Sequence, residues 1–200
     1  MTQPMNNAVV DDLIKWIKKQ EFYLKGQQPN YAVGLTANGN LIISKVGGLT
    51  DRTGGMDDLQ TEIQQTQWFS DNAPTVYLAK KYGGDGNSNH GEMCVLAAAD
   101  ALGEQLTYIK CTGDNCPACF AMLASAGVAT GNAQATGTQA GWVHPRGRMA
   151  LGTGLTSSWS DQIKELNAYN QLTAGEQKKF VHKHTQPGSV TPQGASTVLI

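Results

Sequence analysis

The order of elements in the sequence predicts an α/β fold, a sheet carrying helices. Three observations support it. Apolar residues recur at helical spacing through residues 8–24, AVVDDLIKWIKKQEFYL. Two apolar runs, 31–35 and 41–46, flank Asn38-Gly39, a dipeptide suited to the positive φ angles of a tight hairpin turn. A helix–strand–helix series then follows from His90 onward, with residues 106–111 (LTYIKC) as its buried strand.

The first helix places Val9, Leu13, Trp16, Ile17 and Leu24 on one side. Asp11 and Asp12 precede Lys15, Lys18, Lys19 and Lys25, the charge order that the helix dipole favours, and Gly26 is the expected stop. The plain reading is an amphipathic helix packed on the sheet. A phosphate-binding lysine face is the alternative. After the hairpin, residues 47–89 read as an inserted segment. Gly47, Gly48, Gly54 and Gly55 loosen its first part, residues 57–69 suit a helix with Leu59, Ile63 and Trp68 inward, and residues 74–79 suit a strand. The polar loop KKYGGDGNSN then runs directly into His90.

Each of the next two helices opens with reactive side chains. His90 and Glu92 lie at the start of one, with Ala97, Ala98, Ala99 and Leu102 in its body; Cys116 and Cys119 open the other, ahead of FAMLA. Free N–H groups and the positive dipole end at a helix start favour thiolate and carboxylate forms. Pro117 suits a first helical position, where its missing N–H costs nothing. Helix–strand–helix order brings both helix starts to one edge of the sheet, the edge at which open α/β sheets bind ligands. His nitrogen and Cys sulfur are zinc ligands, and a catalytic zinc uses three protein ligands with a fourth position left for water. A C-x-x-C pair by itself also suits a redox centre. Cys94 and Cys111 read as packing residues.

Composition limits the classes of function. The chain of 200 residues suits one domain with a tail, divided here as 1–185 and a loose 186–200. No run approaches the ~20 apolar residues of a membrane span, and the N-terminal MTQPMNNAVVDD lacks the blocks of a signal peptide. Four cysteines, two of them in a metal motif, fit a reducing compartment, so the cytoplasm is the expected site of action. A net charge of −1 gives no global attraction to polyanions, so any nucleic-acid contact has to be local.

The pattern His90-x-Glu92, a helix, a strand, then Cys116-x-x-Cys119 resembles the cytidine-deaminase-like superfamily of zinc-dependent deaminases. That resemblance covers roughly residues 8–150, though only the metal motifs are specific. It implies a three-layer α/β/α fold with a central mixed sheet, and Zn2+ held by His90, Cys116 and Cys119. It also implies a water activated at the metal and Glu92 as the proton shuttle. The superfamily's commoner form has proline before the first cysteine; here Asn115 precedes Cys116 and proline follows. By resemblance the segment before His90 forms a pocket wall, which makes Tyr82, Asn87, Ser88 and Asn89 candidates for substrate contact. For Ser88 and Asn89 a simple N-cap role competes.

Beyond the second metal helix, residues 131–140 (GNAQATGTQA) look weakly structured. The family places a late strand and an active-site loop in the region of GWVHPRGR, residues 141–148. Trp142 is then core or a stacking platform for a base, and Arg146 or Arg148 a phosphate contact. His144 as a fourth ligand conflicts with an open metal position. Residues 159–182 suit terminal helices, and Lys178, Lys179, His182, Lys183 and His184 form a small basic cluster.

The glycine-rich loops, the HGEM form and the CPAC form resemble bacterial toxin-like deaminases more than small nucleoside enzymes. The first expectation is therefore cytosine deamination in nucleic acid, DNA before RNA. The resemblance implies delivery to rival cells as part of a toxin system, with an immunity protein as partner. Free cytidine or nucleotide deamination is one alternative. A non-catalytic zinc module, closed by Cys94 or Cys111 as fourth ligand, is the other.

Overall fold

The computed structural model describes residues 6–24, 29–49, 75–82, 89–136, 142–143, 145, 150–151, 167–168, 171–173, 176 and 192–193. Helix α1 spans Asn7–Ile17, capped by the Asn6 side chain, which accepts from the N–H of Ala8. Val9, Val10, Leu13, Ile14 and Ile17 are its buried face. The single helix expected over 8–24 is in fact two. The N–H groups of Lys19 and Gln20 bond three residues back, to Trp16 and Ile17, and the Gln20 amide also takes the Trp16 carbonyl. This tightened end closes α1 before the short α2, Glu21–Leu24. Leu24 consequently leaves the apolar face and is 55% exposed. Gly26 lies outside the described residues.

Strands β1 (Tyr31–Thr36) and β2 (Leu41–Lys45) form the expected antiparallel hairpin, with Gly39 at φ 82° in its turn. β3 (Val76–Ala79) runs parallel to β2, and β4 (Leu106–Cys111) runs antiparallel to β1. β5 (Ala129–Thr130) adds in parallel to β4. The mixed sheet has the order β5-β4-β1-β2-β3, and β8 (Pro192–Gln193) pairs antiparallel with β3 as a further edge. Between them in sequence, β6 (Trp142–Val143) and β7 (Ala150–Leu151) form a separate two-stranded sheet. The expected inserted helix at 57–69 lies outside the described residues, as do most of the expected terminal helices and the C-terminal basic cluster.

Alternation along the strands divides the core in two. Val33, Leu35, Leu41, Ile43, Val76 and Leu78 face α1. Ala32, Ile42, Ile109 and Cys111 face α3 (Gly91–Leu102) and α4 (Pro117–Ser125). Helices therefore cover both faces of the sheet. α3 lies close against it because Gly34 has no Cβ; one added there would stand 2.5 Å from Val95 Cγ1 and 2.6 Å from Leu106 Cδ1. Gly103, left-handed at φ 70°, ends α3. No helix among the described residues is long and apolar enough to cross a membrane.

Candidate metal centre

The register of the sheet brings two helix starts together. Ala32 pairs with both Ser44 and Cys111, so the carboxyl ends of β2 and β4 lie on one edge. α3 docks at that edge through Gly91, where an added Cβ would lie 3.0 Å from the Asn30 carbonyl oxygen and 3.2 Å from Lys45 Cα. A side chain between His90 and Glu92 would therefore press on backbone. The approach to His90 is fixed as well. The Asn89 carbonyl accepts from Gly47 N–H at 2.7 Å, and its side-chain oxygen accepts from Tyr82 N–H at 3.1 Å. Asn89 thus ties Gly47 and Tyr82 to the start of α3, and His90 itself occupies the N-cap position.

Cys116 is set by a loop held almost wholly by asparagines. The Asn30 side-chain oxygen accepts from Gly113 N–H and from Thr112 Oγ1. Asn132 accepts from Cys111 N–H and donates to the carbonyls of Cys111 and Gly113. Asn115 exchanges backbone bonds with Ala133 and Ala135 and donates its amide to Thr130 Oγ1 at 2.8 Å. Asparagine suits this work because its amide imitates a peptide group. The stretch from Gly131, expected to be weakly structured, thus supplies through Asn132, Ala133 and Ala135 part of the scaffold of Cys116 and Cys119. Its Gly131-Asn132 turn was the signal to read. Cys116 then caps α4, its sulfur accepting from Cys119 N–H at 3.4 Å, with Pro117 in the first turn as expected.

His90, Cys116 and Cys119 come together as a group that can hold a metal ion, their donor atoms all within 4.8 Å of one another. His90 Nδ1 lies 3.1 Å from Cys119 Sγ and 3.5 Å from Cys116 Sγ. Tetrahedral bonds of about 2.0–2.1 Å to nitrogen and 2.3 Å to sulfur separate such donors by about 3.5 Å, so the spacing fits zinc. The nitrogen–sulfur donor set is consistent with zinc without being specific to it. Neither Cys94 nor Cys111 belongs to the group, although both are buried.

Glu92 is 1% exposed, in the first turn of α3, and its Oε2 has no hydrogen-bond partner among the described residues. Burial raises its pKa, the His90 charge pulling the other way and Cys116 adding to the rise. Cys116 is lowered to about 5, chiefly by the Cys119 thiol and then by His90, against its burial. Cys119 is pushed well up by burial and by Cys116 beside it. Burial pulls His90 down, yet its bond to Cys116 and the charges of Cys116 and Glu92 outweigh this and raise it. Without metal, the shifts of Cys116 and His90 each favour the charged form of that group, while burial moves Glu92 the other way.

Tyr82 is fully buried and near enough for the charges of Cys94, Cys119, Glu92 and Cys116 to add to the rise in pKa that burial causes. Trp142 is also fully buried, and its indole N–H donates to Cys119 Sγ at 3.1 Å. The sequence offered packing or base stacking for this tryptophan, with no sign of the sulfur contact. Asn87, Ser88, His144, Arg146 and Arg148 lie outside the described residues. Compared with known proteins, the chain matches no family model, no curated protein and no solved structure.

Proposed function

We propose that the protein is a zinc-dependent deaminase that hydrolyses cytosine to uracil in nucleic acid, with a three-layer cytidine-deaminase-like fold. The observation that carries this reading is the unpartnered oxygen of a buried carboxylate. Glu92 Oε2 is buried without a partner among the described residues, on the same helix start as His90 and beside three side chains that could hold a metal ion. A structural zinc would take a fourth protein ligand and has no use for a desolvated acid; Cys94 and Cys111, the spare thiols, are not in the group. Three ligands and one acid with an unpartnered oxygen suit hydrolysis.

His90 Nδ1 and the sulfurs of Cys116 and Cys119 would hold the ion. When bound, zinc supplies the Lewis acidity that brings the pKa of water towards neutrality. The rest falls to Glu92. Its carboxylate accepts a proton from water as the oxygen adds to C4 of the base. It passes that proton to the ring nitrogen N3, then moves the second water proton to the departing amine, which leaves as ammonia. A raised pKa suits a group that both takes and returns a proton near neutral pH. Buried walls at Tyr82 and Trp142 keep bulk water from competing.

The polymer substrate rests on the resemblance to toxin-like deaminases and on the chain's form. A free nucleoside has no evident use for the inserted segment, or for Arg146 and Arg148 in the connection between β6 and β7. Single- or double-stranded DNA is the first candidate, and an immunity protein that covers the site is the partner this reading implies. The test is C-to-U conversion on cytidine, RNA, single-stranded DNA and duplex DNA side by side. Conversion within a strand at a kcat/KM well above that for cytidine is expected; equal efficiency on free cytidine overturns the polymer assignment.

A further inference from the structure

We propose that Trp142 is a positioning residue for the metal centre: its indole N–H fixes Cys119 Sγ as a ligand and ties metal loading to the docking of the β6–β7 hairpin. The inference rests on the metal-site reading of His90, Cys116 and Cys119, and not on the identity of the reaction.

The indole nitrogen is a donor only, so the direction of this bond is settled: sulfur accepts. At 3.1 Å from Nε1, with Trp142 and Cys119 both fully buried, the contact has no exposure to water. A buried indole N–H seeks a partner, and here the partner is a metal-ligating sulfur. Cys119 Sγ thus has His90 Nδ1 on one side and the indole on another, each at 3.1 Å. Two fixed neighbours leave its side chain little freedom to turn away. An N–H aimed at a thiolate also withdraws electron density from it, so the sulfur donates less to the ion and the ion stays more Lewis acidic.

The second consequence is one of connection. β6 and β7 form their own two-stranded sheet, hydrogen-bonded through Trp142↔Leu151 and Val143↔Ala150 and separate from the main sheet. Trp142 belongs to the core cluster that contains Met93, Cys119 and Met122. The hairpin is therefore anchored at the metal centre, and a ligand sulfur is one of its anchoring atoms. Binding a metal at that sulfur strengthens the N–H···S bond and with it the seating of the hairpin.

Trp142→Phe removes the N–H and keeps an aromatic ring in the core. Zinc affinity, measured by competition with a chelator, is expected to fall by about 10–100-fold, as for other partners that orient metal ligands. With cobalt(II) as the probe, the thiolate-to-cobalt charge-transfer band is expected to move to lower energy, because a sulfur freed of its hydrogen bond donates more strongly. Met122→Leu, a change in the same core cluster without a donor, should leave the band in place. Wild-type affinity and an unmoved band in Trp142→Phe overturn the proposal. A wild-type protein with no thiolate–cobalt band removes the metal site itself, which is a different result. Should Trp142→Phe fail to fold, wild-type protein loaded with cadmium-113 answers directly. A coupling between cadmium and the Trp142 indole proton is expected, and its absence overturns the proposal. None of these readouts depends on deamination.

Discussion

Glu92 is poorly placed for stability, a cost that its proposed role as proton shuttle would explain. Burial of this carboxylate, with one oxygen unpartnered among the described residues, raises its pKa. In the metal-free protein the folded state keeps the carboxyl proton to a higher pH than the unfolded chain does. Between the two pKa values the folded state therefore binds more protons, and its stability falls as pH rises through this window. Glu92→Gln removes the titration. Metal-free Glu92→Gln is expected to be more stable than wild type at neutral pH, with the gap closing towards the ordinary carboxylate range; urea unfolding at several pH values measures it. Cys116 offers a second test. Held down to about 5, it is a thiolate at neutral pH, whereas burial pushes Cys94 up to about 12 and Cys111 and Cys119 also lie above the usual thiol range. Brief alkylation of the metal-free protein near pH 6.5 should mark Cys116 first by mass spectrometry, and zinc should protect it. Equal labelling of all four cysteines would contradict the electrostatic picture.

Two glycines at close approaches govern how α3 meets the sheet, and they separate stability from site geometry. Gly34→Ala crowds Val95 and Leu106 in the body of the helix packing. It should cost about 1–3 kcal/mol while the metal affinity of the folded fraction stays near wild type. Gly91→Ala presses instead on the backbone of Asn30 and Lys45, between His90 and Glu92. It should weaken zinc binding even where the protein remains folded; unchanged zinc affinity would show that the docking of this helix start does not set the site. The sequence showed much at this scale. The hairpin, strand β4 and helices α3 and α4 carried strong local signals, and the three ligands stood at helix starts that local order alone brings to one edge. What it did not show depends on contacts between distant segments. The break after Ile17 comes from i→i−3 bonds that periodicity does not record. β5 and the Asn132 clamp need the partner β4 in place, and the short stretch 129–132 has too few residues to declare a period. The bond from Trp142 to Cys119 spans 23 positions and leaves no pattern in either neighbourhood.

At the scale of the whole molecule, a net charge of −1 means that the proposed nucleic-acid substrate would be held by a few local cations. Lys81 is exposed and directly precedes the buried Tyr82. Lys81→Ala and Arg146→Ala are each expected to weaken nucleic-acid binding. Each should also lower the salt slope by about one unit for every duplex phosphate no longer neutralised, with kcat at saturation little changed. Binding and slopes equal to wild type in both variants would move the strand elsewhere on the surface. The account depends most on the union of three ligands with one acid. Its most direct test is a paired measurement on wild type and Glu92→Gln: zinc content by elemental analysis, and uracil formed from cytosine in single-stranded DNA. The account predicts one zinc per chain in both proteins, bound by the same three side chains. It also predicts uracil from the wild type and a loss of about 10²–10⁴-fold in rate from Glu92→Gln. Equal turnover by the two proteins at equal zinc content, or no uracil from zinc-replete wild type on any cytosine substrate, would contradict it.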